Sequence, residues 1–163
     1  MSIHVVLHEP EIPANTGNIA RTCAGTNSCL HLIHPLGFST DDRMLKRAGC
    51  DYWPHVKVEH HNSIEELMDK FPEGHFYFIE TIGNQHYSQV DYSEAQEDYF
   101  FVFGKETKGL PESLTNKFRD NCLLIPQTQL VRSLNLSNAA AILVYEAMRQ
   151  QAFSAIEQKA FCE

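Results

Sequence analysis

Residues 99–104 read Y-F-F-V-F-G, an almost wholly apolar run that stops at a glycine. Such a run is typical of a central strand in a parallel sheet, where helices cover both faces. Other β-rich runs occupy residues 3–9, 30–35, 55–61, 75–81 and 122–126. Segments with helical character alternate with them, at residues 15–25, 40–48, 63–71, 111–118 and 136–152. This alternation predicts an α/β fold, with a mainly parallel sheet and helices on both of its faces.

The length and composition indicate one ordinary globular domain. The 163 residues suit a single domain, 1–163, with a sizeable core, and we expect the tail after about residue 152 to fray. No apolar stretch approaches the roughly 18 residues that a membrane span needs. The first eight residues resemble a strand more than a signal peptide, so we expect a cytoplasmic protein without membrane contact. The polar residues 83–98 predict a long surface loop.

Several classes of site lack their usual spacing. Five cysteines form no C-x-x-C pair and nine histidines include no H-E-x-x-H, so we expect hydrogen-bonded or solvated histidines and no metal. The absence of G-x-G-x-x-G after a strand disfavours a nicotinamide dehydrogenase. Glu106 follows Lys105 where a phosphate-binding P-loop needs Ser or Thr, which disfavours nucleotide triphosphate hydrolysis.

Three polar segments carry the functional signal. Residues 132–138 read R-S-L-N-L-S-N and lead directly into an apolar helix. Ser and Asn at a helix start either cap the helix or hold a ligand, and five polar side chains exceed what one cap needs. Residues 104–109, G-K-E-T-K-G, follow the central strand, and residues 9–21 read E-P-E-I-P-A-N-T-G-N-I-A-R. Each segment alone is also compatible with a turn or a solvated loop.

In this order the three segments resemble those of the SPOUT class of RNA methyltransferases. More closely, they resemble its short branch, the tRNA (cytidine/uridine-34-2′-O)-methyltransferases, from about residue 3 to residue 151. The resemblance implies a deep C-terminal trefoil knot, S-adenosylmethionine as cofactor and S-adenosylhomocysteine as product. It also implies that the substrate is the ribose 2′-hydroxyl of nucleotide 34 in the tRNA anticodon arm, and that the enzyme is a homodimer.

The resemblance further implies which residues form the site. Those expected to hold the cofactor are Ile79, Thr81, Gly104, Ile125 and Ser133. Those expected in the catalytic neighbourhood are Asn15, Arg21, Glu106, Ser133, Asn135 and Tyr145. Arg21 matches the family's catalytic arginine, and Glu106 is the expected partner that holds it. Glu80 departs from the pattern, because a small hydroxyl residue is expected there.

The charge limits how this chain binds nucleic acid. The net charge of −8 argues against affinity from bulk electrostatics, since phosphate neutralisation dominates such binding. Arg43, Lys46 and Arg47 form a local basic patch at helical spacing, to which Lys105 and Lys108 add. We expect this patch to contact RNA, although a solvated helix face remains an equal alternative.

Two alternatives stay open. One is a 2′-O-methyltransferase of the same fold that acts on rRNA or on another tRNA position. The chain has no room for an extra RNA-binding domain, which favours a small exposed target such as the anticodon loop. The other is a non-catalytic module that keeps the cofactor site without turnover.

Overall fold

The computed structural model describes residues 2–41, 43–49 and 52–157. Its strands are β1 (Ile3–His8), β2 (Cys29–Ile33), β3 (Lys57–His61), β4 (His75–Ile79), β5 (Gln85–His86), β6 (Tyr99–Phe103) and β7 (Cys122–Leu124). Its α-helices are α1 (Pro13–Thr26), α2 (Arg43–Gly49), α3 (Ile64–Lys70), α4 (Glu112–Lys117) and α5 (Leu136–Gln150). Short 3₁₀ helices lie at Trp53–His55, Tyr87–Gln89 and Arg119–Asn121.

The strands form one parallel sheet in the order β3-β2-β1-β6-β4-β7-β5. The prediction of an α/β fold with a parallel sheet is confirmed. β6 lies between β1 and β4, and all five of its residues are buried. The C-terminal knot stays a prediction. Among the described residues, no helix is long and apolar enough to cross a membrane.

Helices cover both faces of the sheet, as predicted. Successive side chains of a strand point to opposite faces, so Val5 and Val6 belong to different cores. The core on the Val5 face also contains Ile19 of α1 and Leu143 of α5. The core on the Val6 face contains Leu67 of α3, and Leu114 of α4 as well. The two faces therefore differ in which helices shield them.

The prediction of one long surface loop at residues 83–98 is wrong. The segment contains the edge strand β5 and a 3₁₀ helix, and Tyr92 within it is fully buried. The Tyr92 hydroxyl donates to the Tyr87 carbonyl at 2.7 Å. The Gln150 side chain accepts from the Tyr92 backbone N–H and donates to the Val90 carbonyl. Gln150 lies on α5, so the polar composition of the segment did not reveal this contact.

The chain after α5 contacts the hydrophobic core. The Phe153 backbone N–H donates to the Met148 carbonyl at 2.8 Å, and Phe153 and Ile156 pack against the core. The expected fraying after residue 152 stays a prediction. Residues 158–163 lie outside the described residues.

We predict that Tyr92→Phe lowers the free energy of unfolding by about 1–2 kcal/mol, because it leaves the Tyr87 carbonyl without its buried donor. Tyr145→Phe is the control, since its ring is 49% exposed. We expect that control to change stability by less than about 0.5 kcal/mol. Urea unfolding followed by circular dichroism measures both, and equal stabilities would show that the Tyr92 hydroxyl does not anchor this segment.

Candidate active site

A cavity of about 450 Å³ opens at the carboxyl ends of β4, β6 and β7. In an open parallel sheet, this edge gathers the loops that follow each strand, and ligands bind there. The five residues expected to hold the cofactor all line the cavity: Ile79, Thr81, Gly104, Ile125 and Ser133. The structure thus brings together residues from four separate parts of the chain.

Two glycines shape one wall of the cavity. A Cβ atom at Gly104 would lie 2.0 Å from the carbonyl carbon of Gly109, so the two backbone segments leave no space for a side chain. Gly109 itself has a φ of +67°, which glycine adopts without strain. Its backbone N–H donates to the Lys105 carbonyl at 2.8 Å and closes the turn. The loop after β6 therefore folds back tightly on itself.

Glu80, which departs from the expected small hydroxyl residue, holds this same loop. Its Oε1 atom accepts a hydrogen bond from the Leu110 backbone N–H at 2.8 Å. A Cβ atom added to Gly109 would lie 3.1 Å from that oxygen, which shows how closely the carboxylate approaches. Glu80 directly follows β4, and Gly104 directly follows the neighbouring β6. The carboxylate therefore joins the ends of two adjacent strands.

Glu106 binds the N-terminal end of α1. Its Oε2 atom accepts from the Glu11 backbone N–H at 2.9 Å, and its Oε1 atom accepts from the Ile12 backbone N–H at 3.0 Å. The Asn15 side-chain amide also donates to Oε1, at 3.3 Å. Ile12 is the N-cap residue of α1 and offers no side-chain cap. A carboxylate from a distant loop thus takes up N–H groups that the helix start leaves unpaired.

Asn135 connects this cluster to α5. Its Nδ2 atom donates to the Asn15 Oδ1 atom at 3.1 Å. Its own Oδ1 atom caps α5 by accepting from the backbone N–H groups of Ser137 and Asn138, at 2.9 and 3.2 Å. The Asn15 side chain, which is 7% exposed, therefore accepts one hydrogen bond at its oxygen and donates another from its nitrogen. The result is a continuous chain of hydrogen bonds, Glu106–Asn15–Asn135, along the cavity.

Further positioning residues escaped the sequence analysis. The Glu11 carboxylate accepts from the Thr107 hydroxyl and backbone N–H, at 2.8 and 3.2 Å. The Gln127 amide donates to the Val131 and Arg132 carbonyls, at 3.2 and 3.1 Å, and holds the loop before α5. Both residues follow a proline in a polar loop, a signal too common to identify them.

Arg21 and Tyr145 lie outside the residues that line the cavity. Arg21 is exposed on α1, and its guanidinium carbon is 4.9 Å from the centre of the Tyr52 ring. The expected contact between Glu106 and Arg21 is absent from the described part of the chain, because the Glu106 oxygens bind the start of α1. Tyr145 is 49% exposed on α5.

The candidate RNA-binding residues lie on α2, which packs against α1. Arg43, Lys46 and Arg47 are all exposed. Lys46 has a weak partner, Asp41, with its ammonium nitrogen 3.9 Å from the carboxylate. Lys105, in contrast, forms a closer ion pair with Glu9 at 2.8 Å. Of these two ion pairs between described residues, that of Lys105 is the tighter, so the exposed α2 residues offer more accessible basic charge than Lys105 does.

Comparison with known proteins identifies relatives over nearly the whole chain. The profile of the SpoU rRNA Methylase family matches residues 2–145. A relative from Bacillus subtilis (strain 168), provisionally named a tRNA (cytidine(34)-2′-O)-methyltransferase, is 63% identical and covers 93% of this chain and 94% of its own. A tRNA (cytidine(34)-2′-O)-methyltransferase from Methylovorus glucosotrophus (strain SIP3-4) is 44% identical, and the match covers 92% of this chain and 96% of the relative.

A solved structure gives the same result at the level of the fold. It is described as giving structural insights into the 2-OH methylation of C/U34 on tRNA. The two structures align with a TM-score of 0.83 and 40% sequence identity, and the alignment covers 92% of this chain and 91% of the solved chain. The resemblance inferred from the three polar segments is confirmed.

We predict that Gly104→Ala strongly destabilises the cavity wall, because the new methyl group would collide with the Gly109 backbone. Gly25→Ala, in α1, is the matched control, since a Cβ atom there meets nothing within 4 Å. We expect the control to stabilise the protein by about 0.5–1 kcal/mol through its better helix propensity. Thermal unfolding compares the two variants. A Gly104→Ala protein as stable as the wild type would contradict the close approach of the two backbone segments.

Proposed function

The chain belongs to the SpoU rRNA methylase family, and we propose that it methylates the ribose 2′-oxygen of nucleotide 34 in the tRNA anticodon loop. S-Adenosylmethionine supplies an electrophilic methyl group on a sulfonium centre and leaves as S-adenosylhomocysteine. Curated relatives at 63% and 44% identity carry this activity in their names, and they match this chain over almost their whole lengths.

The observation that carries the proposal is the Glu106–Asn15–Asn135 chain along one cavity. A cavity of about 450 Å³ falls in the usual range for a small-molecule site, roughly 300–1,000 Å³. Ile79 and Ile125 offer apolar walls that suit an adenine ring. Gly104 has no side chain, and the space around it would not admit one, so its backbone forms part of the cavity wall. A ligand can therefore hydrogen-bond to main-chain atoms there.

The chain's own groups have separate tasks in the reaction. The most important task is to align the methyl donor with the acceptor oxygen. Good alignment lowers the activation barrier by roughly 7–11 kcal/mol at best. Asn15, Ser133 and Asn135 orient the reacting groups, and Glu106 holds the start of α1, the helix that carries Asn15. Arg21 has no acceptor atom and keeps its proton in proteins. We therefore assign to Arg21 the stabilisation of negative charge that develops on the 2′-oxygen, or a contact to an adjacent phosphate.

The position of Arg21 supports a homodimer as the working unit. Arg21 does not line the cavity of its own chain, although the role assigned to it requires contact with the acceptor nucleotide. Ile12, at the start of α1, and Tyr145, on α5, are 42% and 49% exposed. Pairing of α1 and α5 across a two-fold axis would cover these apolar groups and place Arg21 of one protomer at the cavity of its partner.

The reaction is tested with purified protein and methyl-labelled S-adenosylmethionine, in parallel with bulk tRNA and with rRNA, followed by mapping of the methylated nucleotide. We expect label at the ribose of nucleotide 34. Label at another tRNA position, or only on rRNA, would retain the chemistry and reject the proposed substrate. Binding of the cofactor without transfer to any RNA would favour the non-catalytic alternative.

We predict that Arg21→Ala lowers the rate of methyl transfer by at least about 100-fold, the effect typical of losing one group that stabilises a developing oxyanion. Affinity for S-adenosylhomocysteine, measured by calorimetry, should change by no more than a few-fold. Arg119→Ala, at an exposed arginine of the Arg119–Asn121 turn, is the control and should keep full activity. A parallel loss of affinity and activity in Arg21→Ala would contradict the assigned role.

The dimer is tested by co-expressing Arg21→Ala with Asn135→Ala chains. If Arg21 acts across the interface, a mixed dimer has one intact site, which combines Arg21 of one chain with Asn135 of the other. Random pairing makes about half of the dimers mixed, so roughly a quarter of all sites regain activity. Activity that stays at the level of the single variants would place Arg21 at its own cavity. Light scattering that gives the monomer mass of 18.6 kDa for a fully active enzyme would reject the dimer.

We predict that Arg43→Glu combined with Lys46→Glu weakens tRNA binding and makes its salt dependence shallower, because each lost phosphate contact removes close to one unit of slope. The matched control, Lys117→Glu with Arg119→Glu, makes the same charge change next to α4, which packs on the opposite face of the sheet from α1. Filter binding between low and moderate salt compares the two. Equal slopes in both double variants would mean that α2 is only a solvated helix.

A further inference from the structure

A cluster of potential metal ligands lies away from the cavity, on the sheet face that α3 covers. His31 Nδ1 of β2 is 3.0 Å from His61 Nε2 of β3. Glu59 Oε2, also on β3, is 3.8 Å from the first nitrogen and 3.7 Å from the second. His31 and His61 are 0% and 5% exposed, whereas Glu59 is partly exposed. None of the three residues lines the cavity described above.

We propose that His31, Glu59 and His61 form a binding site for a divalent transition metal, with Zn²⁺ as the ion that fits best. A zinc ion lies about 2.0–2.2 Å from imidazole nitrogen and carboxylate oxygen. A point at that distance from all three atoms exists within a triangle with sides of 3.0, 3.7 and 3.8 Å. Two imidazoles and one carboxylate favour zinc over magnesium or calcium, which prefer oxygen ligands.

A chain of hydrogen bonds prepares His31 to act as a ligand. His4 Nε2 is 3.3 Å from the Asp98 carboxylate, which can only accept, so His4 donates there. The other nitrogen of a neutral His4, Nδ1, then accepts from His31 Nε2 at 2.9 Å. This arrangement leaves the lone pair of His31 on Nδ1, the atom that faces Glu59 and His61. Metal-binding histidines typically donate their second ring N–H to a carboxylate, a backbone carbonyl or water. Here His4 takes that place, and the Asp98 carboxylate fixes its tautomer.

Lys70 sets the strength of the site. Its ammonium nitrogen donates to Glu59 Oε2, the proposed ligand oxygen, at 2.7 Å. The ammonium and a metal cation therefore compete for the same oxygen, and the site binds more weakly than the two imidazoles and the carboxylate would alone. Removal of the Lys70 charge should strengthen metal binding, whereas removal of the Glu59 charge should weaken it.

The consequence is structural, and it concerns the edge of the sheet. β3 is an edge strand, and its neighbour β2 supplies His31. A bound ion would join the two strands through their side chains, in addition to the backbone ladder. The three protein ligands leave one tetrahedral position for water, and the partly exposed Glu59 gives the ion access from solvent. Because the cluster lies outside the cavity, this proposal does not rest on the proposed methyl transfer.

The test uses the full-length chain without a histidine tag, and measures Zn²⁺ affinity by competition with a coloured chelator. We expect one ion per chain, and Co²⁺ should give the intense visible absorption of a tetrahedral site. Glu59→Gln and His61→Ala should each weaken affinity by at least about tenfold. Lys70→Gln should strengthen it. His34→Ala is the control, because His34 belongs to a separate, exposed pair with His60, at 2.8 Å.

Two results of the zinc titrations would contradict the proposed site. Absence of zinc binding by the wild type, or equal affinity in wild type and Glu59→Gln, would overturn the proposal. Loss of affinity in His34→Ala with Glu59→Gln unaffected would assign binding to the exposed pair instead. His61 is buried, so His61→Ala is compared by circular dichroism with the wild type before titration. If that variant does not fold, the opposite responses of Glu59→Gln and Lys70→Gln decide the question.

Discussion

The Asn15 side-chain amide donates to the Glu106 carboxylate at 3.3 Å and accepts from the Asn135 amide at 3.1 Å. An amide is suited to this position because it has one donor group and one acceptor group pointing in different directions. The start of α1, the loop after β6 and the cap of α5 thereby become one hydrogen-bonded unit. Because Asn15 is 7% exposed, water competes little for either bond. The geometry of the cavity rim depends on these two contacts.

Carboxylates hold the loops of the site, which is unexpected in a chain of net charge −8 that is proposed to bind RNA. Glu11, Glu80 and Glu106 each accept from backbone N–H groups of irregular segments that have no strand partner. Backbone N–H groups thus offset part of their negative charge. The exposed basic residues of α2 remain available for phosphate. The acidic composition therefore reflects, in part, how the loops are stabilised.

The two faces of the sheet serve different purposes because strand side chains alternate. Leu30 and Leu32 of β2 join the core beneath α1 and α5, whereas His31, between them, points to the face beneath α3. Burial lowers the pKa of the His31 imidazole to about 3, so it is neutral at physiological pH. The polar chain from Asp98 through His4 to His31 satisfies these buried nitrogens next to Phe100. One strand therefore contributes to the hydrophobic core on one face and to a polar cluster on the other.

Sequence by itself determined the elements of this protein, because local periodicity and composition reflect burial directly. The apolar run at β6 predicted the central strand, and Gly104 and Gly109 marked a loop that only glycine can form. Likeness to a known family supplied the cofactor residues, and all of them line one cavity. The polar composition of residues 83–98, in contrast, hid a short strand and a buried tyrosine.

Tertiary structure alone decided which groups meet. Glu106 and Arg21 were expected to pair, but Glu106 binds the start of α1 and Arg21 lies over Tyr52. Asn15 finds its partners 91 and 120 positions further along the chain. Such hydrogen bonds require no periodic pattern in the sequence, since each depends on one donor, one acceptor and the path of the backbone between them. The same reason hid the cluster of His31, Glu59 and His61, whose ligands come from two neighbouring strands rather than from one motif.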